Sequence, residues 1–308
     1  PEKIFAEWDE QPFAAASIGQ VHRAVTKGGD EVAVKVQYPG IDKAIENDLK
    51  SIGLLESMMS PVARKFNTKQ TIDEIRSVFM SELDYSREAQ MADLFRRMNA
   101  PDSEVYVPRV HHELTTRRVL TLEYVHGKGY ADFKETAAQE EKNRAGLTIW
   151  RFTFRSMLRH AMLYADPHPG NYRFLPDGRV AFLDFGCVKE LPHDLVRGIK
   201  RYMRAAMDSD WPEFDRACVE VLGYDPNDES WDLYRSYTME LLMPVCTTGV
   251  WDASPERAKE TVGYLARGIK SLAIKEGETI PNIPHVPKIP QDFTFVNRLQ
   301  WGLASVLA

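Results

Sequence analysis

The chain has 308 residues, 39 of them Lys or Arg and 45 Asp or Glu, for a net charge of −6 at neutral pH. That length is enough for two lobes with separate apolar cores. The mildly acidic balance argues against nucleic acid as a partner and against bulk attraction to an anionic membrane, so an anionic ligand has to be gripped by local charges.

Taken in chain order, the first clear elements are Gln20–Val25 and Glu31–Val36, alternating β-branched runs joined by the turn residues of Thr26–Asp30, which predict a β-hairpin. Helical periodicity follows in Ile41, Ala44, Ile45, Leu49, Ile52 and Leu55, and again from about Ile72 to Met98. Val105–Val110 and Arg118–Tyr124 are extended, and Val125-His126-Gly127 reads as a hinge closing an N-terminal lobe of residues 1–124. In the expected C-terminal lobe, residues 125–308, Glu135–Leu163 reads as one or two buried helices. Tyr164–Glu190 is dense in Asp, Pro and Gly, and amphipathic helices including Leu195–Arg204 and Val262–Ala273 follow Pro192. Pro281–Pro290 reads as a strap on the lobe, and Phe293–Ala308 as an apolar helix.

Cys187, Cys218 and Cys246 are an odd, scattered set, which fits free thiols in a reducing, cytoplasmic compartment better than a disulfide framework. The first residues do not read as a secretory leader, and no run reaches the ~18 to 20 apolar residues of a membrane span. Pro1 is not an initiator methionine. A longer protein is therefore expected, with peripheral membrane association left open.

The residues that promise chemistry flank a second hairpin with Pro176-Asp177-Gly178 at its turn: Asp166-Pro-His-Pro-Gly-Asn171 before it and Asp184-Phe185-Gly186 after it. Phosphoryl transfer needs one carboxylate to orient the attacking hydroxyl and hard oxygen ligands to hold Mg²⁺ against the phosphates. Asp166 suits the first task, Asn171 and Asp184 the second. Lys35 ends Val32-Ala33-Val34-Lys35, the pattern of a strand lysine that contacts nucleotide phosphates and pairs with a helix glutamate. A solvated strand lysine would look the same in isolation. Its candidate partner is Glu88, which with Asp84 is expected on one face of a helix. Ala14, Ala15, Ala16 and Ser17 stand where a protein kinase places a glycine-rich phosphate cover. Each alanine Cβ restricts the backbone there, so either Ser17 and neighbouring N–H groups meet phosphate, or the segment is a helical turn under the sheet. His168 has no Cys or His at zinc-ligand spacing and reads as a loop-fixing residue. Cys187 reads as an inert thiol.

Together, Ala14–Ala24, Val32–Gln37, Glu82-Leu83-Asp84-Tyr85 through Ala89, Ala165–Asn171 and Asp184-Phe185-Gly186 resemble the UbiB/AarF family of atypical kinase-like proteins, over about Phe13 to Glu190. The resemblance implies an α+β, two-lobed protein-kinase-like fold, a small N-lobe sheet with extra helices and a mostly helical C-lobe. It implies ATP and Mg²⁺ as cofactors, a Lys35–Glu88 ion pair beside a catalytic Asp166, and Glu82 and Asp84 near the metal with Asn171 and Asp184. The candidate nucleotide-binding set is Ala14, Ala15, Ala16, Ser17, Lys35, Glu123 and Val125. The family's link to ubiquinone and other isoprenoid lipids implies a lipid or quinone-synthesis partner. Its Lys-x-Gly-Gln element has no counterpart in Pro1–Gln11. Two other readings stay open: a small-molecule phosphotransferase like the aminoglycoside and choline kinases, and a non-catalytic ATP-binding scaffold.

Overall fold

The computed structural model describes residues 1–47, 49, 83–249, 251–254, 256–257, 259–260, 263–264 and 290–307. Glu82, much of the helices expected at 41–55, 72–98 and 262–273, and the Pro281–Pro290 segment thus lie wholly or largely outside the described residues. Two compact units form, one from Pro1–Thr148 with Gly170–Val188, the other from Ile149–Pro169 with Lys189–Ala308. The division by contacts therefore does not follow a single cut at 124/125.

The first unit is built on an antiparallel sheet of β1 (Phe5–Trp8), β2 (Ala14–Ala16), β3 (Gly19–Thr26), β4 (Glu31–Gln37) and β6 (Val119–Glu123). The order is β1-β3-β4-β6, and β2 pairs with the start of β3. Val32 and Val34 of β4 are buried in a core with Phe5 and Ala24. Because side chains alternate across a strand, Lys35 falls on the opposite face. The segment Ala14–Ala16, expected as a loop or helical turn, is a strand, and β1 precedes it where no element was expected. The three alanines of β2 have little β propensity, and β1 is a short run with Phe5 and Trp8 at its ends; an edge of β3 supplies the hydrogen-bonding partner for both.

Helix α1 (Tyr85–Asn99) follows a turn at Leu83, so the helix expected from 72 to 98 is not continuous. Asp84 is its N-cap, with its carboxylate accepting from Ser86 N at 2.9 Å, and does not share a helical face with Glu88. The buried stripe of α1 is Tyr85, Glu88, Ala89, Ala92, Phe95 and Asn99, the three-to-four spacing of one helix face, and it carries Glu88 inward. Of the extended run expected at Val105–Val110, β5 keeps Val105–Tyr106, pairing parallel with β9 (Val180–Phe182), which pairs antiparallel with β8 (Tyr172–Phe174). Helix α2 (Tyr130–Thr136) has no buried residue.

Helix α3 (Gln139–His160) ends at Ala161, a buried residue with φ 56 that leads into β7 (Met162–Tyr164). In the second unit Leu191 N, just past β10 (Val188–Glu190), donates to Ala161 O at 2.8 Å. Helices α4 (His193–Met207), α5 (Trp211–Leu222), α6 (Trp231–Cys246) and α7 (Gln291–Leu307) complete it. A cleft of about 120 Å³ opens between α3, α4, α6 and α7, lined by Trp150, Phe154, Met203, Leu242, Trp301 and Leu303. Among the described residues no helix is long and apolar enough to cross a membrane.

Candidate active site

Lys35 sits in the middle of β4, paired through the ladder with Val21 on one side and Leu120 on the other. Its Nζ lies 3.2 Å from each Glu88 carboxylate oxygen and 3.0 Å from Asp184 Oδ2. The Tyr85 ring, one turn before Glu88, has its centre 5.0 Å from the same ammonium. The bland alternative of a solvated lysine is thereby overturned: the Lys35 side chain is 15% exposed, that of Glu88 4% and that of Asp184 31%.

Two carboxylates face one ammonium, so with both ionised the triad carries one negative charge in excess. Burial works against the charge on Lys35, but Asp184 and then Glu88 outweigh it and hold the ammonium's pKa above the ordinary lysine value. Glu88 is the most deeply buried member. Desolvation, then the charge of Asp184, raise its carboxyl from the usual 4.5 to about 7 in spite of Lys35. The surplus charge is what a bound cation would neutralise.

Asp184 is held from two directions. Its Oδ1 accepts from Gly186 N at 2.9 Å, and Phe185 between them is buried against Phe95, with ring centres 5.2 Å apart. Glu88 and Phe95 lie two turns apart on α1, so one helix face anchors both the lysine and the Asp184 loop. A Cβ at Gly186 would come within 3.3 Å of Asp184 Oδ1 and 3.4 Å of Glu88 Oε2, so a side chain there would press on both carboxylates. Asn171 ends a 3-10 turn, Pro169–Asn171, and its carbonyl accepts from Leu183 N at 3.0 Å. Since Tyr172 pairs with Phe182, Asn171 and Asp184 flank the open end of the β8–β9 hairpin.

The remaining candidates are placed as follows. Ala14, Ala15 and Ala16 are laddered to Val21, Gln20 and Gly19, and Ser17 beyond them is exposed. Gly19 has no room for a side chain, because a Cβ would lie 2.2 Å from Val36 O. The Glu123 carboxylate accepts from Tyr106 Oη at 2.5 Å and Arg109 N at 3.2 Å, so that side chain serves the fold. Val125, past the end of β6, is half-buried. Asp166 belongs to the second unit, where Asp166 O accepts from His168 N at 2.9 Å and its Oδ1 lies 3.8 Å from Arg298 Nη2. Sequence reasoning missed Tyr85, Phe95 and Arg298. The seven-residue interval from Glu88 to Phe95 signals a shared face; nothing in the spacing points to Arg298.

Among the described residues no group of three or more His, Cys, Asp and Glu forms a metal cage. Mg²⁺ does not require one, since it keeps waters and takes one or two protein oxygens with those of a phosphate. The carboxylate of Asp184, the amide oxygen of Asn171 and the surplus negative charge fit such an ion.

Residues 1–217 match the model of the ABC1 atypical kinase-like domain. The chain is 37% identical over 200 residues, 63% of its length, to protein ACTIVITY OF BC1 COMPLEX KINASE 3, chloroplastic, of Arabidopsis thaliana, and spans 28% of that protein. It is 33% identical over 206 residues to atypical kinase COQ8B, mitochondrial, of Rattus norvegicus, with 67% of this chain and 39% of that one covered. The chain thus spans well under half the length of these curated relatives. A solved structure of Rv3197 from Mycobacterium tuberculosis, in complex with erythromycin, shares the fold with a TM-score of 0.78 at 23% identity, over 99% of this chain and 74% of that one. With this fold neighbour, an antiparallel sheet backed by a helix that carries Glu88 to a strand lysine, and a family model matched over most of its length, the chain has an α+β kinase-like fold and belongs to the ABC1, or UbiB, family of atypical kinases.

Proposed function

We propose that the chain binds ATP with Mg²⁺ and transfers or hydrolyses its γ-phosphoryl group. The observation that supports this most directly is the Lys35–Glu88–Asp184 triad: a buried ammonium fixed by a helix glutamate beside an aspartate at a hairpin mouth. Glu88, 3.2 Å away, holds Lys35 Nζ in one place, so an incoming phosphate oxygen meets a cation that need not be reorganised. Asp184 and Glu88 together keep that amine protonated. Asn171 and Asp184 would hold the Mg²⁺, which when bound neutralises phosphate charge. Asp166 accepts a hydrogen bond from the attacking hydroxyl or water and directs its lone pair at phosphorus.

The UbiB resemblance supports a role in isoprenoid-quinone or other lipid metabolism, with a lipid or a quinone-synthesis protein as partner. Two measurements test the reading. Asp184→Asn is expected to lose the thermal stabilisation that MgATP gives the wild type; equal stabilisation would refute the metal assignment. ADP release is expected from wild type and not from Asp166→Asn, with and without membranes. Tight ATP binding with no ADP release under either condition would identify a non-catalytic scaffold instead.

A further inference from the structure

Helix α7 lies beyond the 217 residues that match the family model, yet within the second unit one of its faces runs along the loop that carries Asp166. Asp292, Phe295, Arg298 and Gly302 recur at three- and four-residue intervals, the spacing of a single stripe. Asp292 Oδ1 is 2.6 Å from Lys189 Nζ, and that ammonium lies 3.9 Å from the centre of the Phe295 ring. Arg298 Nη2 is 3.8 Å from Asp166 Oδ1. At Gly302 the helix comes so near the loop that a Cβ would meet Pro167 Cγ at 2.6 Å. The neighbouring stripe of Val296, Leu299, Leu303 and Val306 is buried, which fixes the helix from behind.

We propose that Arg298 is a positioning residue for Asp166. The helix under it is pinned at Lys189 and at Pro167, so the guanidinium is delivered to the loop from a fixed backbone. The contact reaches the Asp166 carboxylate at Oδ1, so the charge of Arg298 acts on the group assigned to orient the attacking hydroxyl. A guanidinium keeps its charge at any working pH and can steer the carboxylate continuously. Both side chains are about half exposed, 56% for Arg298 and 44% for Asp166, so the effect is modest in size. The proposal rests on the assignment of Asp166 as the orienting group.

ADP release by the full-length protein tests it, with kcat and KM for ATP measured separately for wild type, Arg298→Ala, Arg298→Lys and Asp166→Asn. Arg298→Ala is expected to lower kcat by about three- to fivefold with KM unchanged, and Arg298→Lys to restore most of the loss. An unchanged or raised kcat in Arg298→Ala, a change in KM alone, or no recovery with lysine would each overturn the positioning role. Should the alanine variant unfold, Arg298→Met retains the aliphatic stem and is read by the same criteria. Failure of the underlying assignment looks different: Asp166→Asn would then turn over ATP like the wild type, or the wild type would release no ADP.

Discussion

Replacing Glu88 with glutamine removes the surplus charge of the triad while keeping its shape. Glu88 is 3% exposed, and its carboxyl titrates at about 7 in the folded protein against 4.5 ordinarily. Because the folded value is the higher one, the folded protein holds this proton more tightly than the unfolded chain. The resulting stabilisation is complete below 4.5 and is lost as pH rises through about 7. At about 1.4 kcal/mol per pKa unit, the gap is worth about 3 kcal/mol. Urea unfolding at pH 5, 6, 7 and 8, in EDTA without nucleotide, measures it. Glu88→Gln should match the wild type near pH 5, where both present a neutral group, and exceed its stability at pH 8 by roughly that amount. Mg²⁺ with ATP should flatten the wild-type dependence, since a cation at Asp184 offsets the charge that helps raise Glu88. Parallel curves for the two proteins from pH 5 to 8 would refute the account of a triad with one carboxylate too many.

Gly19→Ala should cost about 2 to 3 kcal/mol in urea unfolding, because the new methyl meets the backbone oxygen of Val36 at 2.2 Å and one strand has to move; a loss below about 1 kcal/mol would show that the β3–β4 pair yields easily. Asp84→Ala removes the cap of α1 and should cost about 1 kcal/mol, equally with and without MgATP. A loss of the MgATP-dependent stabilisation itself would instead make Asp84 part of the nucleotide site. Cys218 is fully buried, and desolvation followed by the charge of Asp215 pushes its thiol up to about 12. Iodoacetamide should therefore modify the partly exposed Cys187 and Cys246 first, and mass spectrometry that finds Cys218 alkylated in the folded protein would contradict its burial.

What could be read in advance was local. The β3–β4 hairpin announces itself by alternating β-branched residues and a Gly-Gly-Asp turn, and the same alternation decides which way Lys35 faces. Strand β2 is three alanines, a composition that names no element; pairing with β3 decides it, and that partner edge is information from outside the segment. The break before α1 was hidden because apolar periodicity runs on through Leu83, although Asp84 is a residue type that caps helices. Glu123 entered the candidate nucleotide-binding set through the resemblance, and the contacts of its carboxylate with Tyr106 and Arg109 join segments that no local pattern relates. The approach of Arg298 to Asp166 is a product of packing between segments far apart in sequence, which no spacing rule encodes.

Under the proposed ATP-binding role, with Ala14–Ala16 as the phosphate cover, strand β2 also bears on the thermodynamics of nucleotide capture. A glycine-rich cover is free to wander before a ligand arrives, and holding it still costs about 1 to 2 kcal/mol of chain entropy for each residue fixed. Here Phe13 N is already bonded to Val21 O at 3.0 Å, and Ala14–Ala16 are already in the ladder. That ordering is completed during folding, so titration calorimetry of ATP with this protein should register a smaller entropic penalty than with a kinase whose cover is mobile.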